Sequence, residues 1–131
     1  MFYLKNKHFT RWTKKQGISD AMLKEAIKEF ESGLFEANLG NHLFKKRIAS
    51  PGRGKSGGSR TILFYQKGKK LIFCFGFEKN QQSNLSNSEI ILLNKLSDNY
   101  QNMAEEELID DIKTKDFEVL RMEEGSNGKH Y

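Results

Sequence analysis

Basic side chains dominate the middle of this chain and are the first candidates for chemistry. Residues 42–79 contain ten lysines and arginines but one acid, Glu78. Lysine and arginine at this density bind phosphate, and arginine offers paired N–H donors in the geometry that a phosphate group accepts. The basic block therefore predicts a polyanionic partner, either a nucleic acid or an acidic protein.

Three of these cations occupy positions that strand pairing would bring together. Lys45 and Arg47 lie two residues apart in the alternating segment 42–49, so they share one face of a strand. Arg60 opens the β-branched and aromatic segment 60–65, and it joins that face if the two strands pair. In RNA cleavage such a cluster could stabilise the charged phosphorane that forms when a 2′-hydroxyl attacks phosphorus.

A glycine-rich segment, residues 50–59, separates the two predicted strands. It holds four glycines and two bases, Arg53 and Lys55, and is predicted to be a loop beside the basic groove. It lacks the spacing G-x-x-x-x-G-K-[ST] and joins strand to strand, so a nucleotide-binding P-loop is not predicted. A loop with two bases fits contacts to a nucleic-acid backbone better.

The remaining reactive side chains are isolated in the sequence. The three histidines, at positions 8, 42 and 130, have no partner at ligand spacing, and we expect solvated or structural roles for them. Cys74 falls inside the most hydrophobic segment, which predicts a buried thiol. No metal site and no cofactor are expected, because the chain has no cluster of cysteine and histidine.

The elements that must position the basic cluster follow from hydrophobic periodicity. We predict an opening strand at 1–5, helices near 9–17 and 20–34, strands at 42–49, 60–65 and 71–77, and a helix from 87 to about 100. Ser86 and Glu89 make a capping box for that helix, and an apolar stripe that includes Ile90 is expected to be buried. An acidic helix at 104–113 and a short strand at 117–120 follow. The order predicts an α+β fold, a small antiparallel sheet packed on one face by two N-terminal helices, with a C-terminal helix and the other face free.

Length and composition indicate one domain. With 131 residues, 37% of them hydrophobic, we predict a single domain over 1–124 and a frayed tail over 125–131. A single cysteine excludes an internal disulfide. No segment approaches the ~20 apolar residues of a membrane span, so we expect a soluble cytoplasmic protein with no membrane partner.

Three segments taken in order resemble the HigB-like branch of the RelE toxin superfamily. They are residues 43–49, residues 51–61 with the glycine-rich segment, and residues 75–80, which read Gly-Phe-Glu-Lys-Asn after Phe75. The resemblance extends from about Phe2 to Val119. It implies a RelE-like fold and a metal-independent endoribonuclease, an mRNA interferase that cuts messenger RNA on the ribosome and so inhibits translation. It also implies a cognate antitoxin with a helix-turn-helix domain, through which the pair would reach operator DNA.

The resemblance also implies roles for individual residues. Lys45 and Arg47 match the paired basic residues on the second strand of such toxins, Arg60 matches the arginine that opens the next strand, and Lys79 lies near the basic residue after the central strand. These four are the expected catalytic residues. Three further cations are the expected RNA contacts, namely Lys46, Arg53 and Lys55.

One departure from the family keeps other functions open. Relatives of this type place a tyrosine or histidine just after the last main strand, whereas residues 80–85 read Asn-Gln-Gln-Ser-Asn-Leu. Either a lysine, Lys79 or Lys55, takes over the proton transfer, or cleavage is weak or absent. The alternatives are a non-catalytic toxin of the same fold that binds a protein such as DNA gyrase, and a plain nucleic-acid-binding module.

Overall fold

Helices and strands alternate along the chain in a computed structural model that describes residues 1–50 and 54–122. In chain order the elements are β1 (Phe2–Asn6), α1 (Lys7–Gln16), α2 (Asp20–Glu31), β2 (Ala37–Gly40), β3 (Leu43–Ser50), β4 (Gly54–Gln66), β5 (Lys70–Glu78), α3 (Asn87–Asn102), α4 (Glu105–Lys113) and β6 (Phe117–Val119). Each predicted strand and helix is present. The addition is β2, whose sequence Ala-Asn-Leu-Gly is poor in strand formers and therefore carries no local strand signal.

The described strands form one sheet in the order β2-β3-β4-β5-β1-β6. β3, β4 and β5 are antiparallel neighbours, β1 lies parallel to β5, and β6 pairs antiparallel with β1. The sheet is therefore mostly antiparallel, and the α+β prediction is confirmed.

The glycine-rich segment departs from its predicted loop. Residues 54–59 are the first part of β4, and the ladder with β3 continues to the pair Ser50 and Gly54. Glycine favours turns but does not forbid extended backbone, and here the hydrogen bonds available from β3 prevail. Residues 51–53, between the two strands, lie outside the described part of the chain.

Local capping residues set the helix ends. The side chains of Asn6 and Ser19 accept hydrogen bonds from backbone N–H groups in the first turns of α1 and α2. Ser86 and Glu89 form the predicted capping box of α3. Gly17 ends α1 with φ of 70°, a left-handed conformation that glycine adopts without steric cost. The helix boundaries follow from short-range chemistry that the sequence displays.

The two N-terminal helices pack on one face of the sheet, as predicted. This core is an apolar cluster whose fully buried members include Phe9, Leu23, Ile27, Leu63, Leu71 and Phe73. Trp12 of α1 lies so close over Gly76 of β5 that a Cβ at position 76 would overlap its indole ring. The backbone of β5 and α1 thus approach each other at a position where only glycine fits.

The opposite face is not free, which corrects the sequence prediction. α3 and α4 pack over it through a second apolar cluster that includes Ile62, Phe64, Ile72, Leu93 and Tyr100. The buried apolar stripe of α3 is narrower than predicted, because Ile90 is 44% exposed. On β4 the buried apolar run of this face ends at Ile62, and the next side chain on the same face is Arg60. Helix packing therefore stops where the cations begin.

Two predictions concern the C-terminal end of the chain. Residues 123–131 are outside the described part, so the single domain over 1–124 and the frayed tail over 125–131 stay predictions. Among the described residues no helix is long and apolar enough to cross a membrane. The described residues also hold no group of three or more His, Cys, Asp or Glu placed to bind a metal ion.

Candidate nucleic-acid surface

Lys45, Arg47 and Arg60 lie on one face of the sheet, and together we call them the basic surface. Arg47 and Arg60 are directly opposite each other in the β3–β4 ladder, and Lys45, opposite Ile62, is two residues away from Arg47. Opposite residues hold their Cβ atoms about 5 Å apart, and residues two apart along a strand are roughly 7 Å apart. Strand pairing thus brings together the three cations that the sequence places on one face.

Each arginine is oriented by a hydrogen bond that leaves most of its donors unused. The Nε of Arg47 donates to one oxygen of Glu36, whose other oxygen accepts from the Arg47 backbone N–H at 2.6 Å. Nη1 of Arg60 donates to the carbonyl of Gly58 at 3.2 Å. A guanidinium carries five N–H donors. Within the described part of the chain, neither side chain makes a further hydrogen bond. Donors therefore remain on both guanidinium groups for a ligand.

Charge favours an anion at the basic surface, although its three cations differ in exposure. Arg60 is 8% exposed, the Arg47 side chain is 39% exposed, and Lys45 is half-buried. Like charges opposite each other repel, the more so where water is partly excluded. Glu36 is the one carboxylate among the described residues that pairs with this surface. A phosphate between the arginines would relieve the remaining repulsion and accept hydrogen bonds from both.

Lys46 does not belong to the basic surface, which corrects its predicted contact with RNA. Neighbouring residues of a strand point to opposite faces, so Lys46 points toward α2. It is 2% exposed, and its Nζ donates to Oε1 of Glu29 at 2.8 Å. Lys46 therefore anchors α2 to the sheet and is closed to a polyanion.

The other predicted cations are placed only in part. Lys79 is exposed in the turn directly after β5, at the end of the strand that pairs with Arg60 through Phe77. The backbone of Lys55 is in β4, but its side chain and the whole of Arg53 lie outside the described residues. Roles for these three cations stay predictions.

The structure brings a histidine to this face that the sequence shows as isolated. His8, in the first turn of α1, lies parallel to Phe75, with ring centroids 5.6 Å apart and an interplanar angle of 1°. The ring centroids of Phe75 and Phe77 are 6.2 Å apart, and Phe77 is opposite Arg60 in the β4–β5 ladder. Because β1 ends at Asn6 while β5 continues past Cys74, the start of α1 comes to rest beside Phe75. No local spacing could have indicated this contact.

A hollow of about 420 Å³ adjoins the ring pair between α1, α3 and α4. Its walls combine apolar side chains, Phe75, Leu92 and Leu96, with the carboxylates of Asp111 and Asp116. Burial raises the pKa of Asp111, and nearby carboxylates add to the effect. Lys7 also lines the hollow, so its walls are largely apolar and carry two carboxylates and one cation.

Two other reactive residues take structural places. His42 is exposed, with Nδ1 3.2 Å from the carbonyl oxygen of Tyr65, at the end of β3 remote from Arg47. Cys74 is buried, and that burial raises the pKa of its thiol well above the usual range. The predicted core position of Cys74 is confirmed.

Comparison with known families gives one match over nearly the whole chain. The family model described as the RelE toxin of the RelE/RelB toxin–antitoxin system matches residues 1–120. The matched range includes all the described helices and strands and the three residues of the basic surface. No curated protein matches the chain significantly.

Proposed function

The chain belongs to the RelE toxin family and is the toxin of a toxin–antitoxin pair, and from this premise we propose that it cuts messenger RNA on the ribosome. The observation that carries the proposal is the direct pairing of Arg47 with Arg60, beside Lys45, on one face of the sheet. Two arginines about 5 Å apart at Cβ can hold one phosphate between them. A phosphate held by fixed donors is what phosphodiester cleavage requires.

The proposed reaction is transesterification within the RNA strand. The 2′-oxygen forms a bond to phosphorus as its proton leaves, and the bond from phosphorus to the 5′-oxygen breaks as that oxygen gains a proton. The products are a 2′,3′-cyclic phosphate and a free 5′-hydroxyl. Arg47 and Arg60 stabilise the extra negative charge on the phosphorane, since arginine stays protonated and cannot exchange protons near neutral pH.

Proton transfer in this proposal falls to lysines. Lys45 is half-buried next to Arg47 on the basic surface, and Lys79 is exposed just beyond it. A proton carrier must reach the 2′-hydroxyl or the 5′-oxygen while the arginines hold the phosphate. We propose that Lys45 acts from within the basic surface and that Lys79 approaches the phosphate from the turn after β5. Lys55, at the start of β4, and Arg53 would contact the RNA backbone.

The partners follow from the same proposal. The family implies a cognate antitoxin. We infer further that this antitoxin carries a helix-turn-helix domain, that operator DNA is reached only through it, and that the toxin acts in the cytoplasm on ribosome-bound messenger RNA. A basic surface of this kind is masked efficiently by an acidic segment, because complementary charge speeds association and favours the correct partner.

The test is induction of the chain in bacteria without its antitoxin, with messenger RNA 5′ ends mapped during translation. Arg60→Ala and the double variant Lys45→Ala/Arg47→Ala should abolish new 5′ ends and restore growth. Lys14→Ala/Lys15→Ala is the matched control, since it removes two positive charges from the last turn of α1. Cleavage that persists in the first two variants, with the proteins folded, would refute the assignment.

One observation favours a second function. Among the described residues 79–86, directly after β5, there is neither tyrosine nor histidine. A toxin of the same fold that binds a protein such as DNA gyrase would need no proton donor there. That alternative predicts growth arrest with DNA-damage signalling and intact transcripts, so the same mapping experiment separates the two.

A further inference from the structure

The stacked pair of His8 and Phe75 has no evident role in the fold. His8 is exposed, and its contact with Phe75 is parallel and offset, with centroids 5.6 Å apart. Phe75 is half-buried at the margin of the second apolar cluster. An exposed flat ring resting on a fixed one offers a second flat surface to solvent, and such surfaces stack unpaired nucleobases.

The ring pair is connected to the basic surface through β5. Phe75 and Phe77 lie on the same face of β5, opposite Ile62 and Arg60 respectively, and their rings are 6.2 Å apart. Residues two apart on a strand are separated by roughly 7 Å. His8 is therefore connected to Arg60 through Phe75 and Phe77, a separation that a short stretch of single-stranded RNA can span.

The hollow beside His8 discriminates between the parts of a nucleotide. Its apolar walls, Phe75, Leu92 and Leu96, suit a flat neutral ring. Lys7 lines the hollow as well, but the two carboxylates of Asp111 and Asp116 outnumber it, and they can accept hydrogen bonds from the amino and imino groups of a base. In such a complex the arginines bind phosphate and the hollow binds a base of the same strand.

We propose that the hollow beside His8 and Phe75 accepts one nucleobase of single-stranded RNA, which stacks on the imidazole of His8. The inference rests on the proposed function and adds a base-binding site to the phosphate-binding site of the basic surface. Bases that carry an amino group are favoured over uracil, because carboxylates accept from amino donors and repel carbonyl oxygens. His8 is a binding residue in this scheme and takes no part in proton transfer.

The experiment uses the full-length toxin and a short single-stranded RNA that contains one 2-aminopurine, a base whose fluorescence falls on stacking. Wild type should quench the probe. His8→Ala should bind roughly 5- to 150-fold more weakly and lose the quenching, as expected for one lost aromatic stack. His8→Phe should restore both readouts, and His42→Ala, a matched exposed histidine, should behave as wild type.

The outcomes separate this inference from the proposed function. If folded His8→Ala binds and quenches like wild type, or if His8→Phe fails as His8→Ala does, base stacking is wrong while cleavage by the basic surface stands. If wild type neither binds the RNA nor generates new messenger RNA ends, the proposed function fails and this inference fails with it. Unchanged far-ultraviolet circular dichroism and thermal melting establish that each variant is folded.

Discussion

The buried pair of Lys46 and Glu29 allows a quantitative prediction about what holds α2 on the sheet. Lys46 Nζ lies 2.8 Å from Glu29 Oε1, and the two side chains are 3% and 20% exposed. The lysine has thus lost nearly all its water, whereas the glutamate retains some. Removal of one partner from a buried pair is costly mainly because the other charge stays behind without compensation.

The unequal exposure makes the two removals unequal. Glu29→Gln leaves a buried ammonium without its carboxylate, and we expect it to lower the free energy of unfolding by about 3 kcal/mol. Lys46→Met fills the same space with an apolar chain and leaves a carboxylate that still reaches water, so the expected loss is about 1 kcal/mol. In the double variant the unpaired charge is absent, and the loss should return to about 1 kcal/mol.

Urea unfolding of the four proteins measures this cycle. With a slope of about 2 kcal/mol per molar urea, the midpoint of Glu29→Gln should fall by about 1.5 M and recover by about 1 M when Lys46→Met is added. Additive losses in the double variant, or a larger loss for Lys46→Met than for Glu29→Gln, would refute the reasoning. Lys46→Met should also keep messenger RNA cleavage, whereas Lys45→Met, one residue away on the opposite face, should lower it.

Three further predictions concern packing, pH and reactivity. Gly76→Ala should lower the free energy of unfolding by about 1–3 kcal/mol in thermal melting, because its Cβ overlaps the Trp12 indole, and Trp12→Leu in the same chain should recover part of the loss. The hydrogen bond from the Ser86 backbone, with smaller help from neighbouring side chains, lowers the pKa of Glu89. Its contribution to stability is therefore present above the pKa of about 4 of an unfolded glutamate and is lost as pH falls through the lower folded pKa, so in urea melts Glu89→Gln should approach wild type at acid pH and differ at pH 7. Cys74 should resist a thiol reagent in the native protein and react after unfolding, since burial raises the pKa of its thiol.

Much of the fold could be predicted because its signals are local. Side-chain caps at Ser19 and Ser86 act within three residues, and they mark α2 and α3 in the sequence as clearly as in the structure. The alternation of β3 assigns Lys45 and Arg47 to one face whatever the strand pairs with. β2 could not be predicted, because its four residues form a strand only when the edge of β3 is available to pair with them.

Some residues of the candidate site could be identified from the sequence, and others only from the tertiary structure. Residue types and the two-residue period by themselves determined that Lys45 and Arg47 would share one face of a strand and that Cys74 would be buried. That Arg60 lies opposite Arg47 on the same face was decided by the register of the β3–β4 ladder. Only the tertiary structure decided that Lys46 forms a buried ion pair with Glu29 and that the ring of His8 stacks on Phe75. The reason is physical. The two-residue period of a strand shows which side chains share a face of the sheet. Which helix covers that face, and which distant aromatic ring contacts it, depends on the long-range packing of the whole chain.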